Sequence, residues 1–575
     1  IVCEREREFT MASFSPLPPE RFGRFHATRE AVRDRVDELQ ALQAPERIWA
    51  RDPTFFTDDP RHAERIPRRL GWLDSPKWAK ERVETWEALR REAWESKIRD
   101  LVLLGMGGSS LAAEVLSRIL PEGEGAPRFH LLDSTDPEAV EGVRRAIDPG
   151  HTLFLVASKS GTTIEVRSFF HFFYEAMSQV KGEGAASAFV AITDPATPLA
   201  EMAERLRFRT TLLNPPDIGG RYSALSHFGL VAAKLCGRPV EALLADALRM
   251  RAHMLPEIPA ERNPGLWLGA FLGHHASVGQ NKLTLLFSPE IAPFGAWVEQ
   301  LIAESTGKDG KGIVPIDLEP PASIDRYGED RIFVVLRLRD GTNAALDPMT
   351  EALKGAGHPL CEIELQTPHE VGGEFFRWAF ATATAGALLR IDPFDEPNVS
   401  EAKEATKACL DEFEETGALP SVPSCSPDDP ALSRLISGLR PRDYFAICPF
   451  FRATAERDEK FAALRRRIRD HTRNATMLGY GPRFLHSTGQ LHKGGPDEGV
   501  FLQLTAEPHL DLPIPGKGYT FGTLRDAQAI GDYLALERRG RRIVRVHLGS
   551  AVEAGLERLE RTLAQALATS TPKEE

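Results

Sequence analysis

The stretch LVLLGMGGSSLAAEVLSRIL, residues 101–120, decides the fold class of this chain. Leu101–Leu104 is a short apolar run that predicts a buried strand, and it leads directly into the turn Gly105–Ser110. A helical pattern begins near Leu111. Because a strand, a glycine turn and a helix N-terminus direct free N–H groups toward one point, this arrangement can bind an anion. The stretch therefore predicts an α/β unit with an anion pocket.

A glycine turn of this kind has two other interpretations. A dinucleotide-binding fold would place a third glycine where Ser110 stands, and an acid after the second strand. Asp133 supplies the acid, but the third glycine is missing, so a dinucleotide-dependent oxidoreductase is the weaker hypothesis. A tight turn that binds nothing is the other alternative.

A second polar segment, Ser158-Lys159-Ser160-Gly161-Thr162-Thr163, follows the apolar run Leu153–Ala157 and precedes another helical pattern. Ligands of open parallel sheets bind at the carboxyl ends of the strands. Several hydroxyl donors at a helix N-terminus suit a phosphate monoester, whereas an ordinary helix cap needs only one such residue. The two segments together predict a phosphate pocket.

Further along the chain, apolar runs alternate with helix-length segments, which is the pattern of βαβ units and buried parallel sheets. A chain of 575 residues is too long for one hydrophobic core. We therefore expect an α/β fold with two doubly wound parallel-sheet domains. The expected divisions are a helical arm at 1–85, a first domain at 86–240, a helical connection at 241–309 and a second domain at 310–575, with a proline-rich loop at 416–441.

Composition limits the partners of the chain. Its formal net charge of -12 argues against nucleic acid as a partner. No apolar run reaches the roughly 18 residues of a membrane span, so no membrane is expected. The 6 cysteines are scattered without metal-ligand spacing, which favours a reducing cytoplasm and a site without metal or other cofactor. Residues 1–10 precede Met11, so translation begins there or the sequence belongs to a longer chain.

The segments 105–110 and 158–163 together resemble the phosphosugar-binding (SIS) domain. Further segments resemble the phosphoglucose isomerase family in particular: Gly219-Gly220-Arg221-Tyr222-Ser223, the stretch QLIAESTGK at 300–308, the stretch DPFDEPNVSEAK at 392–403, and LHSTGQ at 485–490, which is similar to the histidine motif of bacterial members. The resemblance implies that both α/β domains are SIS-type.

The resemblance also implies an activity and a set of site residues. The expected activity is an aldose–ketose isomerase that interconverts glucose 6-phosphate and fructose 6-phosphate through an enediolate. The alternatives are a sugar-phosphate sensor without catalysis, or the isomerase half of a fused transaldolase/isomerase. The residues that match the family's functional positions are Glu304 as the base, Arg221 at the intermediate, His486 and Lys403 in ring opening, Gln300 at the substrate, and Gly108, Ser109, Ser158, Ser160 and Thr163 at the phosphate.

Elementary chemistry supports the roles of Glu304 and Arg221. One carboxylate can move a proton between adjacent carbons, and a non-titrating guanidinium can stabilise the enediolate. Glu304 follows a helical pattern that Gly307 can cap, so the negative end of the helix dipole should raise its pKa. Gln300 lies four residues earlier, on the same helix face.

The order of the motifs departs from the family's order of base, histidine and lysine. Here the order is Glu304, Lys403 and His486, which resembles the isomerase portion of fused transaldolase–phosphoglucose isomerases. Glu396 stands where many members have glutamine, and His492 is an alternative to His486. The resemblance further implies a homodimer in which the histidine reaches in from the neighbouring subunit.

Overall fold

The computed structural model describes residues 17–569. The expected start at Met11 lies outside this range. The strands are β1 Arg24–His26, β2 Asp100–Gly105, β3 Arg128–Leu132, β4 Thr152–Ala157, β5 Phe189–Thr193, β6 Thr210–Leu213, β7 Lys282–Phe287, β8 Val314–Ile316, β9 Arg331–Leu338, β10 Leu360–Leu365, β11 Tyr444–Phe450, β12 Ala475–Leu478, β13 Gly499–Thr505 and β14 Arg542–His547.

Helices cover both faces of the sheets and form the connections. They are α1 Pro19–Phe22, α2 Arg29–Ala41, α3 Ala44–Trp49, α4 Pro60–Ala63, α5 Ser75–Lys80, α6 Val83–Glu95, α7 Leu111–Ile119, α8 Pro137–Ala146, α9 Ile164–Lys181, α10 Pro198–Leu206, α11 His227–Leu235, α12 Val240–Ala252, α13 Pro264–Ser277, α14 Phe294–Thr306, α15 Leu346–Gly355, α16 Val371–Leu389, α17 Pro397–Thr416, α18 Pro430–Ser437, α19 Ala455–Thr472, α20 Gly489–Gly494, α21 Phe521–Arg538 and α22 Val552–Thr569.

The first sheet has the strand order β3-β2-β4-β5-β6, and all of its pairings are parallel. Its central strands β2 and β4 are buried along their whole length and apolar over 101–104 and 153–157, as strands covered on both faces must be. The predicted α/β class with parallel sheets is confirmed by this arrangement.

The second sheet has the order β1-β10-β9-β7-β8. Its four later strands are parallel, and β1 adds an antiparallel edge. The N-terminal arm at 1–85 was predicted to be helical, and its described part is mostly so. However, the arm also supplies β1, which is too short to give a strand pattern in the sequence. The connection at 241–309, predicted to be mostly helical with one strand-like run at Leu283–Phe287, contributes β7 at that run, and β7 is an interior strand of this sheet.

A third sheet, with the parallel order β12-β11-β13-β14, is separate from the second. The strands expected to share one sheet within 310–575 therefore divide between two sheets, since β9 and β10 pair with β7 while the later four pair among themselves. Apolar runs reveal strands but not their hydrogen-bonding partners. The loop at 416–441 contains α18, and its Cys425 forms a parallel bridge with Val546 at the edge of the third sheet.

Helix α17 connects the second and third sheets in the chain and packs against α21 of the third unit, which comprises the third sheet and the helices of 430–569. The first unit comprises the first sheet and the helices between its strands, residues 100–213. Helices α13 and α16 pack side by side and bury their Gly269 and Thr384 faces against each other. Within residues 17–569, no helix has the length and apolar character that crossing a bilayer requires.

Candidate active site

The two hydroxyl-rich segments lie side by side because the strands that precede them are neighbours. β2 pairs with β4, and Gly105 stands opposite Ala157. From β2 the chain goes to β3 at one edge of the sheet, whereas from β4 it goes to β5, toward the opposite edge. This reversal of direction opens a crevice between the carboxyl ends of β2 and β4. Segments 105–110 and 158–163 follow directly from them, and Ser109 is buried in the first turn.

The hydroxyl groups of the second segment are fixed by contacts with one another. Ser158 Oγ lies 2.9 Å from Thr163 Oγ1 and accepts a hydrogen bond from the Gly161 N–H at 3.1 Å. Ser160 Oγ lies 2.8 Å from Thr162 Oγ1. Thr163 occupies the N-cap position of α9. Four hydroxyls thus surround a helix N-terminus, which is a favourable place for a phosphate.

The first segment is packed tightly against two other parts of the chain. A Cβ on Gly108 would lie 2.2 Å from the carbonyl carbon of Gly220, and Ser223 Oγ donates to the Gly108 carbonyl at 3.2 Å. Gly107 has a φ of 52°, and a Cβ there would lie 2.6 Å from the carbonyl oxygen of His486. These backbone contacts explain why glycine is required at both positions.

Arg221 connects three separate segments of the site. Its Nη1 lies 3.2 Å from Glu304 Oε1 and 3.0 Å from Glu396 Oε2. Its Nε donates to Ser305 Oγ at 2.7 Å, and its Nη2 donates to two main-chain carbonyls within 392–396 at 2.9 and 2.8 Å. Burial disfavours the guanidinium charge, but the two carboxylates outweigh it, so the pKa of Arg221 is raised.

Glu304 lies in the last turn of α14 and is buried. Its pKa is raised chiefly by burial, with a further rise from the Glu396 charge, while Arg221 opposes both. The direction matches the one expected from the helix dipole, but desolvation is the larger cause. Gln300, one turn earlier, donates through Nε2 to Glu304 Oε2 at 3.0 Å and to the carbonyl oxygen of His486 at 2.8 Å.

His486 and Lys403 reach the same cavity within one chain, despite their order in the sequence. The cavity has a volume of about 420 Å³, and its wall also includes Ser160 and Thr163. His486 ends a short 3₁₀ turn that follows β12 of the third sheet, and Lys403 projects from α17. The third unit therefore brings a histidine to the phosphate segment of the first unit.

A buried carboxylate holds the His486 ring. His486 Nε2 lies 2.7 Å from Glu165 Oε1, and Gln528 Nε2 donates to the same oxygen at 2.7 Å. Thr135 Oγ1 in turn donates to Gln528 Oε1 at 2.7 Å. Burial opposes ionisation of Glu165, but the charges of His486 and Lys403 hold its pKa below the ordinary value. An anionic Glu165 therefore fixes the ring orientation.

Sequence reasoning assigned no role to Glu165, Ser305 or Tyr222. Glu165 had a detectable signal, because it is an acid in the first turn of α9, two residues after Thr163. Tyr222 OH lies 3.2 Å from Ser305 Oγ, and burial raises the pKa of this phenol to about 12. Ser305 accepts a hydrogen bond from Arg221 Nε, and only the folded chain brings Ser305 to Arg221 and Tyr222.

His492, the alternative to His486, is 2% exposed and packs against the rings of Phe484 and Phe501. It does not line the cavity, and burial lowers its pKa well below the ordinary value. His492 is therefore a core residue.

One cluster among residues 17–569 has the spacing of a metal site. His62, Asp392 and Asp395 place one ligand atom each within 4.8 Å of one another. However, Lys308 Nζ lies 2.7 Å from Asp395 Oδ1, so one of the two carboxylates is already paired with a cation. The arrangement is better described as an ion-pair network than as a metal centre.

Known proteins resemble both the sequence and the fold. A sequence model described as Phosphoglucose isomerase matches residues 77–318. The glucose-6-phosphate isomerase of Rubrobacter xylanophilus is 31% identical over 399 residues, which cover 61% of this chain and 89% of that protein. The chain belongs to the phosphoglucose isomerase family. A Thermus thermophilus glucose-6-phosphate isomerase is 29% identical over 386 residues, or 59% of this chain and 90% of that one.

A solved structure shares the fold. The crystal structure of a hypothetical protein from Thermus thermophilus aligns with a TM-score of 0.58 and 25% identity, covering 67% of this chain and 99% of that one. The match to the family model includes Arg221 and Glu304 but ends before Lys403 and His486. For Lys403 and His486, the assignment to the site rests on the cavity that both residues line.

The packing of Gly108 against Gly220 generates a prediction about stability. Gly108→Ala should lower the free energy of unfolding by about 1–3 kcal/mol, because its Cβ would meet the main chain of Gly220. Gly220→Ala is the matched control: its Cβ would meet no atom within 4 Å, so the change should stay within about 1 kcal/mol. Urea unfolding of both variants measures the difference. Equal stabilities would contradict the close approach of the two turns.

Proposed function

We propose that this phosphoglucose isomerase family member interconverts glucose 6-phosphate and fructose 6-phosphate, using the residues described above. The observation that carries the proposal is the contact of Arg221 with the buried Glu304. Gln300 joins this pair to the cavity of the hydroxyl groups, because it donates both to Glu304 and to the carbonyl of His486, which lines that cavity. A base and a fixed positive charge at one place are what proton transfer through an enediolate requires. The relatives named above support the same activity.

In this proposal the phosphate of the substrate binds to Ser158, Ser160 and Thr163, with Ser109 and the Gly108 N–H on the opposite side of the crevice. The hydroxyl groups and the helix N-terminus of α9 supply hydrogen bonds, and Lys403 on the same cavity wall adds a positive charge. The site can thereby bind a phosphate monoester in a protein whose formal net charge is -12.

Ring opening is assigned to His486 and Lys403, which share the cavity wall with the phosphate residues. One group protonates the ring oxygen while the other removes the proton of the anomeric hydroxyl. Glu165 holds His486 through Nε2, so the second ring nitrogen is available for proton transfer. Both groups must face the sugar from the same end of the cavity for this step.

Proton transfer between the first two carbons is assigned to Glu304. Its raised pKa makes it a stronger base than an exposed glutamate, while the Arg221 charge favours its ionised form. Arg221 then stabilises the negative charge that develops on the enediolate oxygens. Gln300 Oε1 is buried without a hydrogen-bond partner among the described residues, so it can accept a bond from a sugar hydroxyl.

The predicted homodimer and cytoplasmic location remain proposals. The contact between His486 and Glu165 supports a site whose histidine comes from its own chain, so the site does not require a second subunit for completion. The free thiols at the five described cysteine positions accord with a reducing compartment. We also retain the hypothesis that the chain is the isomerase portion of a fused protein, for which the motif order is the motivation.

Replacement of the base tests the proposed activity. Glu304→Gln should lower kcat by about 10³-fold while fructose 6-phosphate still binds, because the amide keeps the shape but cannot take a proton. Glu299→Gln on the same helix is the matched control, since burial raises the Glu299 pKa to about 8 and the residue is mostly neutral at pH 7.

A coupled assay gives the rates, and calorimetry gives the binding. Full turnover by Glu304→Gln would remove this residue from the mechanism. Binding without turnover in the unsubstituted protein would support a sensor instead.

Glu396 generates a prediction about pH dependence. The Glu396 anion helps to raise the pKa of Glu304, so Glu396→Gln should let Glu304 stay ionised at lower pH. The acidic limb of kcat/KM should therefore move down by about one pH unit. Glu401→Gln, in α17 and paired with Arg539, is the control and should leave the limb in place. A limb that stays or moves upward in Glu396→Gln would contradict the coupling.

A further inference from the structure

Arg483 lies three residues before His486, in the same 3₁₀ turn, and forms ion pairs with two acids of the first unit. Its Nη1 lies 3.0 Å from Asp133 Oδ2, and its Nη2 pairs with Glu114 Oε2. Asp133 follows β3, and Glu114 belongs to α7, the helix that begins at the first phosphate turn. One guanidinium therefore connects the histidine turn both to the helix that begins at the first phosphate turn and to the end of the neighbouring strand β3.

Both acids are largely buried, with side-chain exposures of 15% for Glu114 and 13% for Asp133. Burial raises the pKa of Asp133, whereas at Glu114 the Arg483 charge outweighs burial and lowers the pKa. The two carboxylates also repel each other. Without Arg483, Asp133 would lose its ion pair and Glu114 would keep only the exposed Arg118 at 3.5 Å, which is an unfavourable state for buried carboxylates.

The remaining contacts of the turn leave little freedom for a shift. The His486 carbonyl accepts a bond from Gln300 and lies against Gly107. The ring contacts Glu165. All of these contacts depend on the position of a turn that comes from a different α/β unit. Besides the His486 ring, Arg483 is the side chain of that turn that pairs with acids of the first unit.

We infer that Arg483 is a positioning residue for ring opening: its ion pairs with Glu114 and Asp133 dock the third unit so that His486 reaches the sugar ring. The inference rests on the proposed isomerase function. It assigns Arg483 no contact with the substrate. Its loss should therefore impair the step that needs His486 and spare proton transfer by Glu304, which belongs to α14 and is held by Arg221.

Two substrates separate these steps. Fructose 6-phosphate must be opened before isomerisation, whereas 5-deoxyfructose 6-phosphate lacks the hydroxyl that closes the ring and is always open. Arg483→Gln should lower kcat/KM for fructose 6-phosphate by about 10- to 100-fold, as the loss of general acid–base help does. Turnover of the open-chain analogue, followed by deuterium exchange at C1, should change less than about threefold.

Control variants distinguish positioning from a general loss of structure. Arg465 of the third unit is 3% exposed and donates to the carbonyls of Asp317 and Leu318. Arg465→Gln therefore disturbs a different contact of the third unit without touching the histidine turn. It should affect both substrates equally. Arg483→Lys should recover part of the fructose 6-phosphate activity, because an ammonium keeps the charge but cannot contact both acids as a guanidinium does.

The Glu114→Gln/Asp133→Asn double variant removes the same ion pairs by replacing the acids instead of the arginine. It provides the test if Arg483→Gln fails to fold. The selective loss on fructose 6-phosphate is again the expected result. An equal loss on both substrates, or no loss on either, would overturn the inference. If the unsubstituted protein turns over neither substrate, the proposed function fails instead, so the two failures are distinguishable.

Discussion

The buried guanidinium of Arg221 is the contact on which the rest of the site depends. A desolvated positive charge is stable only when it is paired and hydrogen-bonded, and its partners come from α14 and from the segment before α17. The same contacts that satisfy Arg221 place Glu304 beside it at 3.2 Å. The packing of this region and the proposed chemistry therefore both require Arg221. Glu396 adds a second carboxylate, whose charge raises the pKa of Glu304.

Chain order and spatial order are independent in this protein. His486 lies after Lys403 in the sequence, in a third parallel sheet, yet both line the cavity at the phosphate segment. The docking is polar: ion pairs from Arg483 and Arg525 reach acids of the first unit, and Gln528 contacts Glu165. The family resemblance places the histidine on a neighbouring subunit. In this chain the third unit supplies a histidine, His486, to the cavity.

The sequence predicted the features that local patterns encode. The strand and turn at 101–110 gave the α/β class, and hydroxyl-rich segments gave the phosphate pocket, because those signals lie within a few consecutive residues. The sequence did not predict that β11–β14 form their own sheet, since an apolar run does not specify its hydrogen-bonding partner. The contacts of Arg483 and Gln528 were also missed, because each joins residues more than 300 positions apart. The motif match suggested Glu304, and burial supplied the larger reason for its raised pKa.

The central claim is that one chain builds the whole site, and subunit complementation tests it most directly. Inactive Glu304→Gln and inactive His486→Ala proteins are unfolded together, refolded as a mixture, and assayed for isomerase activity. If His486 acts on the Glu304 of its own chain, no mixed assembly contains an intact site, and the mixture stays as inactive as its components. If the histidine acts across a dimer interface, mixed dimers contain one intact site, and about a quarter of the activity of the unsubstituted protein would return. Such recovery would contradict the account.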